Sequence, residues 1–175
     1  RFSDMNTRCG DQGQIRINGH TLQQTGIQAV RDRTALVMQD PILFAGTVLE
    51  NLTGQQTGKS PDHRHLENAL KKANCHFLFD RFNGLDTRLD QGGQPLSSGE
   101  KQLVCIARAF ACDPDLIIFD EATSYMDSQS EKAVHDAMAR LMKGRMSIII
   151  AHRLSTVRQC DTILLLKNGR VIEQG

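Results

Sequence analysis

Apolar and polar positions divide the chain into short strands separated by helices and turns. Apolar runs bounded by turn-forming residues predict strands at 34–38, 116–119, 146–151 and 162–167, and an alternating pattern predicts another at 14–18. The all-apolar run 116–119 is typical of a parallel strand covered on both faces, and 146–151 is also predicted to be buried. Asn168-Gly169 is a hairpin signal, so 170–173 is predicted to pair with the strand before it.

Helical spacing of apolar residues predicts four helices. They cover 27–33, the stretch from 61 to about 82, 98–112, and the stripe from 133 to 142. Ser97 with Glu100 and Ser128 with Glu131 have the spacing of capping boxes, which marks the starts of the last two helices. Asp113-Pro114 is predicted to end the third helix.

Strands and helices alternate in the second half of the chain, which favours an α/β fold with a mainly parallel sheet. The hairpin at 162–173 adds an antiparallel β piece. Because 61–111 contains helices and no convincing strand, we expect a helical subdomain there. It would be inserted between two parts of the core, 1–60 and 112–175.

The composition does not favour a nucleic-acid-binding, zinc-binding, disulfide-rich or membrane-spanning protein. The 175 residues carry a net charge of +1, so bulk charge does not indicate a nucleic-acid or acidic-lipid partner. Five cysteines without a C-x-x-C pair do not suggest a zinc site or a disulfide framework. No apolar run reaches the roughly 18 residues of a membrane span. If the protein acts at a membrane, we therefore expect this chain to act from the aqueous phase.

Two neighbouring carboxylates, Asp120 and Glu121, follow the apolar run 116–119. Ligands of α/β sheets bind at the carboxyl ends of strands, and successive strand residues point in opposite directions, so the two acids can take different roles. One can hold Mg²⁺ while the other polarises a water molecule for attack on a phosphate. Two solvated acids at a strand end are the alternative that the pair alone leaves open.

Hydroxyls and a glycine stand at the predicted start of the helix 98–112, in the sequence Leu96-Ser97-Ser98-Gly99-Glu100. The free N–H groups and the positive dipole end of a helix N-terminus suit a phosphate. Taken alone, the segment is also typical of a helix that is merely well capped.

Five motifs in order resemble those of the ATP-binding cassette (ABC) family. Leu96 to Glu100 is similar to its L-S-G-G-Q signature, and 116–121 to its Walker B strand. Gln39 stands in a segment similar to the Q-loop, 124–127 resembles the D-loop, and 151–153 resembles the switch histidine loop. The resemblance spans 39–175 and implies a P-loop NTPase-like ATPase core whose N-terminal part is missing.

The resemblance implies ATP and Mg²⁺ as cofactors and a role for each matching residue. Asp120 is implied to hold Mg²⁺, and Gln39 to reach the metal and the attacking water. Glu121 is implied as the general base, and His152 as a contact to the γ-phosphate. These four residues would form the hydrolytic half of the site.

Domains of this family work as head-to-tail dimers with ATP sandwiched between the two copies. The resemblance therefore implies that Ser97, Ser98, Gly99 and Glu100 face the nucleotide bound on a second copy. Asp127 would lie at the dimer seam.

The signature departs from the family pattern because it reads L-S-S-G-E. Ser98 adds a side chain where backbone usually approaches the phosphate. Glu100 brings a carboxylate towards the nucleotide side, unless the capping box turns it away. Tyr125 and Met126 stand in the D-loop where small residues are commoner, so altered activity, or unequal sites in a heterodimer, is expected.

The family's phosphate loop, G-x-x-x-x-G-K-[ST], is expected about ten residues before Arg1 and is not in the printed sequence. The stretch from Gly54 to Ser60 imitates it, but its first glycine is one residue too close and no buried strand precedes it. We interpret the stretch as a surface loop. The 175-residue chain alone is expected to be inactive.

The segments 39–51, 90–93, 120–124 and 151–156 resemble the exporter branch of the family. The implied function is ATP hydrolysis that drives export of a substrate. The implied partners are a transmembrane domain and a second nucleotide-binding domain, without nucleic acid, at the cytoplasmic face of the cell membrane. Alternatives are an ABC-type ATPase of DNA repair or chromosome maintenance, whose signature often reads L-S-G-G-E-K, and a non-catalytic regulatory cassette.

Overall fold

A computed structural model describes residues 15–54, 62–120, 126–151, 157 and 160–175. The described chain begins with a small antiparallel hairpin and two short helices, where the sequence predicted one strand and one helix. These elements are β1 (Arg16–Ile17), β2 (His20–Thr21), α1 (Leu22–Thr25) and α2 (Ile27–Asp32).

A parallel three-stranded sheet forms the centre of the described fold. Its strands lie in the order β3 (Thr34–Val37), β6 (Leu116–Asp120) and β7 (Met146–Ile150). Ala35 lies opposite Ile117 in one pairing, and Phe119 lies opposite Ile149 in the other. The three predicted core strands and their parallel arrangement are confirmed.

The two faces of this sheet differ in burial. Ile117 and Phe119 are fully buried, whereas Leu36 is 57% exposed and Ile148 is 45% exposed. Successive strand residues point to opposite faces, so among the described residues one face packs on the helices and the other is more exposed. The expectation that 146–151 is buried is therefore wrong on the second face. Leu116 and Ile118 of β6 are partly buried there, so cover on both faces of 116–119 stays a prediction.

The middle of the chain is mostly helical but includes a strand. The sequence predicted one helix from 61 to about 82, but the structure describes two helices there. The break lies near Asn74, whose φ of 61° is incompatible with a continuous helix. The two-residue strand β5 (Arg88–Leu89) pairs antiparallel with β4 (Gly46–Thr47), so the expectation of no convincing strand in 61–111 is wrong. The elements are β4 (Gly46–Thr47), α3 (Val48–Thr53), α4 (His63–Lys72), α5 (Phe77–Asp80), a 3-10 helix (Gly84–Asp86) and β5 (Arg88–Leu89).

Helix α6 (Ser98–Cys112) has the bounds that the sequence predicted. The Ser97 and Glu100 capping box is present at its start, and Asp113 ends it in the left-handed conformation. This helix packs against α3, α4, β3 and the later helix α7 (Ser128–Met142), so it lies between the helical part and the sheet. Its buried side includes Val104, Ile106, Ala107 and Phe110.

Helix α7 (Ser128–Met142) is capped by Asp127, whose side chain accepts from the N–H groups of Gln129 and Ser130. The predicted capping box of Ser128 and Glu131 is therefore wrong, because Ser128 is already the first helical residue. The final hairpin of β8 (Leu164–Lys167) and β9 (Arg170–Gln174) confirms the prediction from Asn168-Gly169.

None of the helices that the structure describes combines the length and apolarity needed to cross a bilayer. The division into core parts and an inserted helical subdomain stays a prediction.

Candidate functional site

The carboxyl ends of the three central strands bring two of the predicted site residues to one edge. β6 ends at Asp120, and β3 ends at Val37, which lies opposite Phe119 in the parallel register. Gln39 follows two residues later, so Asp120 and Gln39 both lie at this edge. Asp120 is partly buried there and pairs in the ladder with Ile150 of β7. Glu121 and His152 lie outside the described residues.

The oxygens at this edge suit a divalent cation. Asp120 supplies a carboxylate and Gln39 an amide, and both provide the hard oxygen ligands that Mg²⁺ prefers. The edge therefore fits the metal role that the sequence predicted for these two residues. That role stays a prediction.

Gln102 ties helix α6 to the same edge. Its side chain is fully buried, and its Nε2 donates to the carbonyl oxygen of Met38 at 3.0 Å. Met38 directly precedes Gln39, so the hydrogen bond fixes the backbone from which Gln39 projects. The sequence analysis missed Gln102, although a glutamine at helical spacing with Gly99, Ile106 and Phe110 stands on the apolar side of the helix and was a signal.

The first turn of α6 forms a second part of the site. The Ser97 Oγ accepts from the Glu100 N–H at 3.3 Å, and the Glu100 Oε2 accepts from the Ser97 N–H at 2.9 Å. Ser97 and Ser98 are both exposed, so two hydroxyls lie at the positive end of the helix dipole. This arrangement can bind an anionic group such as a phosphate.

Glu100 is turned towards its own helix rather than outwards. One carboxylate oxygen accepts from Ser97, and the other forms an ion pair with Arg81, which follows α5. The capping bond and the ion pair with Arg81 thus fix the orientation of this carboxylate beside the first turn. Whether it is removed from the nucleotide side stays a prediction. Arg81 was not singled out from the sequence, because the pairing joins residues far apart in the chain.

Gly99 and Asp127 meet through Ser130 of α7. A Cβ added at Gly99 would lie 2.6 Å from the Ser130 Cβ, so α6 and α7 approach too closely for any side chain at this position. Hydrogen bonds from Ser130, through its side chain and then its backbone N–H, hold the pKa of Asp127 below its usual range. Gly99, which is buried, and Asp127 thus both contact Ser130 close to the exposed Ser97 and Ser98.

The loop after Gln39 is fixed by Asn51 of α3. The Asn51 amide nitrogen donates to the carbonyl oxygens of Phe44 at 2.9 Å and Thr47 at 3.0 Å, and its Oδ1 accepts from the Phe44 N–H at 2.9 Å. The side chain is buried although it is polar. These three bonds satisfy the amide and give the loop one backbone shape.

Arg108 joins that loop to α6, the signature helix, so named because it starts at the signature-like segment. Its Nε donates to the Asn51 carbonyl oxygen at 2.7 Å, and its Nη1 donates to the Ile42 carbonyl oxygen at 3.2 Å. The apolar residues Ile42 and Phe44 are exposed to solvent, by 48% and 66%. The sequence analysis included Asn51 only as part of the exporter-like segment 39–51, without a role. It missed Arg108, which belongs to none of the motifs.

Helix α6 is the common element of these contacts. Its first turn carries Ser97 and Ser98, its second turn bonds to Met38 through Gln102, and its third turn holds the loop through Arg108. In the described fold, α6 therefore connects a helix N-terminus that suits an anion with the sheet edge that carries Asp120.

Comparison with known proteins identifies the family. The family model described as ABC transporter matches residues 4–124, which is more than half of the chain. The chain is 45% identical over 164 residues to ABC transporter B family member 18 of Arabidopsis thaliana. It is 44% identical over 164 residues to the uncharacterized ABC transporter ATP-binding protein YfiC of Bacillus subtilis. The chain belongs to the ABC transporter family.

A solved structure agrees with this assignment. The structure of a bacterial Atm1-family ABC exporter with ATP bound superposes with a TM-score of 0.80 at 36% identity, covering 93% of this chain and 28% of that one. The α/β fold class and the resemblance to exporters are confirmed. The chain covers 13% of the plant relative and 27% of the bacterial relative.

Proposed function

We propose that this chain is part of the ATP-hydrolysing domain of an ABC exporter. The observation that supports this most directly is the connection through α6 between the Ser97 end and the sheet edge at Asp120 and Gln39. A transporter domain that couples ATP binding to movement needs such a connection between its two nucleotide-facing parts.

Within this proposal, the sheet edge performs hydrolysis. Asp120 and Gln39 would hold Mg²⁺, and the bound ion would supply positive charge to offset that of the phosphates. Glu121 takes a proton from the attacking water as general base, and His152 contacts the γ-phosphate. The hydrogen bond from Gln102 to Met38 keeps the Gln39 backbone in place during the reaction.

The first turn of α6 serves the nucleotide bound on a second nucleotide-binding domain. Ser97 and Ser98 present their hydroxyls to the phosphates at the positive end of the helix dipole, while Gly99 packs on Ser130 and keeps the turn close to α7. Glu100 completes the turn through its capping bonds, and Asp127 stands beside it at the seam between the two domains.

The loop after Gln39 contacts the transmembrane domain. Ile42 and Phe44 are exposed apolar side chains on a backbone fixed by Asn51 and Arg108, which suits a rigid docking surface. A contact there places the domain at the cytoplasmic face of the membrane. Gln39 belongs to the hydrolytic site and directly precedes the loop with Ile42 and Phe44. Closure of the hydrolytic site is therefore linked to movement of the contact between that loop and the transmembrane domain.

The test is ATP turnover by the full-length protein in lipid, compared with its Glu121→Gln variant. We expect hydrolysis to fall by about 100-fold or more, because the variant keeps the other site residues but loses the general base. The variant should also trap an ATP-bound dimer. Glu173→Gln on the exposed hairpin is the matched control and should hydrolyse at the wild-type rate. Hydrolysis by Glu121→Gln at the wild-type rate would refute the assignment.

A further inference from the structure

The first turn of α6 carries a negative charge close to the surface that is proposed to receive phosphates. Glu100 is three residues after Ser97 and only 18% of its side chain is exposed. A carboxylate beside an anion-binding helix end repels the anion, and it also competes for the positive end of the helix dipole. The chain therefore needs a feature that offsets this charge if the turn is to bind a nucleotide.

Arg81 is positioned to supply that feature. Its guanidinium forms an ion pair with the Glu100 oxygen that the capping bond leaves available. The same guanidinium lies over the rings of Phe77 at 5.5 Å and Phe82 at 5.2 Å, so the aromatic side chains restrict its position. The pair thus joins α5 and the loop after it to the start of the signature helix.

We propose that Arg81 is a positioning residue that neutralises Glu100 and thereby makes the Ser97 and Ser98 turn competent to bind the phosphates of ATP. This inference rests on the proposed function and deepens it. Arg81 acts through Glu100 and does not itself touch the nucleotide. The pair explains how a signature with glutamate in its last position retains its binding surface.

A purely structural role makes a different prediction. Exposed ion pairs contribute little to folding, and half of the Arg81 side chain is exposed. If Arg81 only supported the fold through its packing on Phe77 and Phe82, its removal would affect nucleotide binding equally whether residue 100 were charged or neutral. If Arg81 neutralises Glu100, its removal matters only while the carboxylate is present.

The experiment is a double-mutant cycle on the full-length protein, with KM for ATP as the measured quantity. Arg81→Leu in the wild-type background should raise KM about five- to tenfold, as expected for one unscreened charge near a polyanion. In the Glu100→Gln background, the same substitution should change KM by less than about twofold, because glutamine keeps the capping geometry without the charge. The effect in the wild-type background should shrink as salt is raised.

Lys71→Leu is the matched control. Lys71 is also an exposed cation over a phenylalanine, at 5.9 Å from the Phe79 ring centre, but it lies on α4 and pairs with the ring rather than with Glu100. Its loss should leave KM for ATP unchanged. A rise in KM equal to that of Arg81→Leu would show that general charge loss is responsible, and would overturn the proposal.

The outcomes separate this inference from the function on which it rests. Absence of ATP turnover by the wild-type protein would refute the proposed function. Normal turnover with equal Arg81→Leu effects in both backgrounds would refute only the role of Arg81. If Arg81→Leu does not fold, Arg81→Lys and Arg81→Gln replace it, and equal KM values for these two variants would overturn the proposal.

Discussion

The buried Gln102 side chain donates a hydrogen bond to the Met38 carbonyl oxygen across 64 residues of sequence, at a distance of 3.0 Å. One partner belongs to the second turn of the signature helix, and the other directly precedes Gln39 at the sheet edge. A displacement of α6 therefore displaces the backbone at Gln39. The direction of the bond is fixed, because a carbonyl oxygen can only accept.

We expect Gln102→Glu to destabilise the protein by about 2–4 kcal/mol at pH 8, because it buries a carboxylate against a carbonyl oxygen. Burial raises the pKa of such a carboxyl, and the protonated acid can donate to Met38. The loss should therefore be smaller at pH 5, where the variant takes up its proton. Chemical denaturation at the two pH values measures the difference.

Gln129→Glu is the control for that variant. Gln129 is exposed in the first turn of α7, where a carboxylate interacts favourably with the helix dipole. The control should be neutral or slightly stabilising at both pH values. A Gln102→Glu protein as stable as this control at pH 8 would contradict the buried contact with Met38.

Gly99→Ala should destabilise the protein even though alanine is the better helix former. The new Cβ would lie 2.6 Å from the Ser130 Cβ, and such overpacking typically costs about 1–3 kcal/mol. In a Ser130→Gly background, the obstructing atoms are absent and the same substitution should cost nothing or stabilise. Thermal unfolding of the four proteins of this cycle tests the contact. An equal cost in both backgrounds would show that α7 is not the obstacle.

Local signals explain what the sequence analysis placed correctly. The bounds of α6 follow from a capping box at Ser97 and a helix-ending Asp113-Pro114, and the last hairpin follows from Asn168-Gly169. Each signal acts within a few residues of the structure that it determines. The roles of Asp120 and Gln39 came from the resemblance to the family's motif order rather than from a local signal, and they stay predictions.

Features that depend on distant partners were missed. The pairing of β4 with β5 joins segments about forty residues apart, and its two-residue strands carry no periodic pattern. The apolar run at β7 predicts a strand, but composition cannot tell which of its faces another element covers. The ion pair of Arg81 with Glu100 and the bonds of Arg108 to Asn51 also depend on packing between elements.

Asp127 should make folding stability depend on pH in the acid range. Its pKa is held below the usual value near 3.8, chiefly by hydrogen bonds from Ser130. A lowered folded-state pKa gives stability that is present above the unfolded value and is lost as the pH falls through the folded value. Asn is also a good N-cap but does not titrate. The stability advantage of the wild type over Asp127→Asn should therefore shrink from about pH 5 downwards, whereas an advantage that is constant or grows would contradict the capping bond.

The two faces of the central sheet should differ in how much a polar substitution destabilises the protein. Ile117 of β6 is fully buried, whereas Ile148, its neighbour on β7 one residue along the register, is 45% exposed. Ile117→Thr places a hydroxyl in the core and should cost about 2–4 kcal/mol, since it removes apolar contacts and buries a polar group. Ile148→Thr should cost less than about 1 kcal/mol, because threonine keeps the β-branched shape and its hydroxyl reaches water.

For the 175-residue chain expressed by itself, the Ile148 variant should also bind less of a dye that reports exposed apolar surface. Equal destabilisation by both substitutions would mean that the second face is covered as fully as the first.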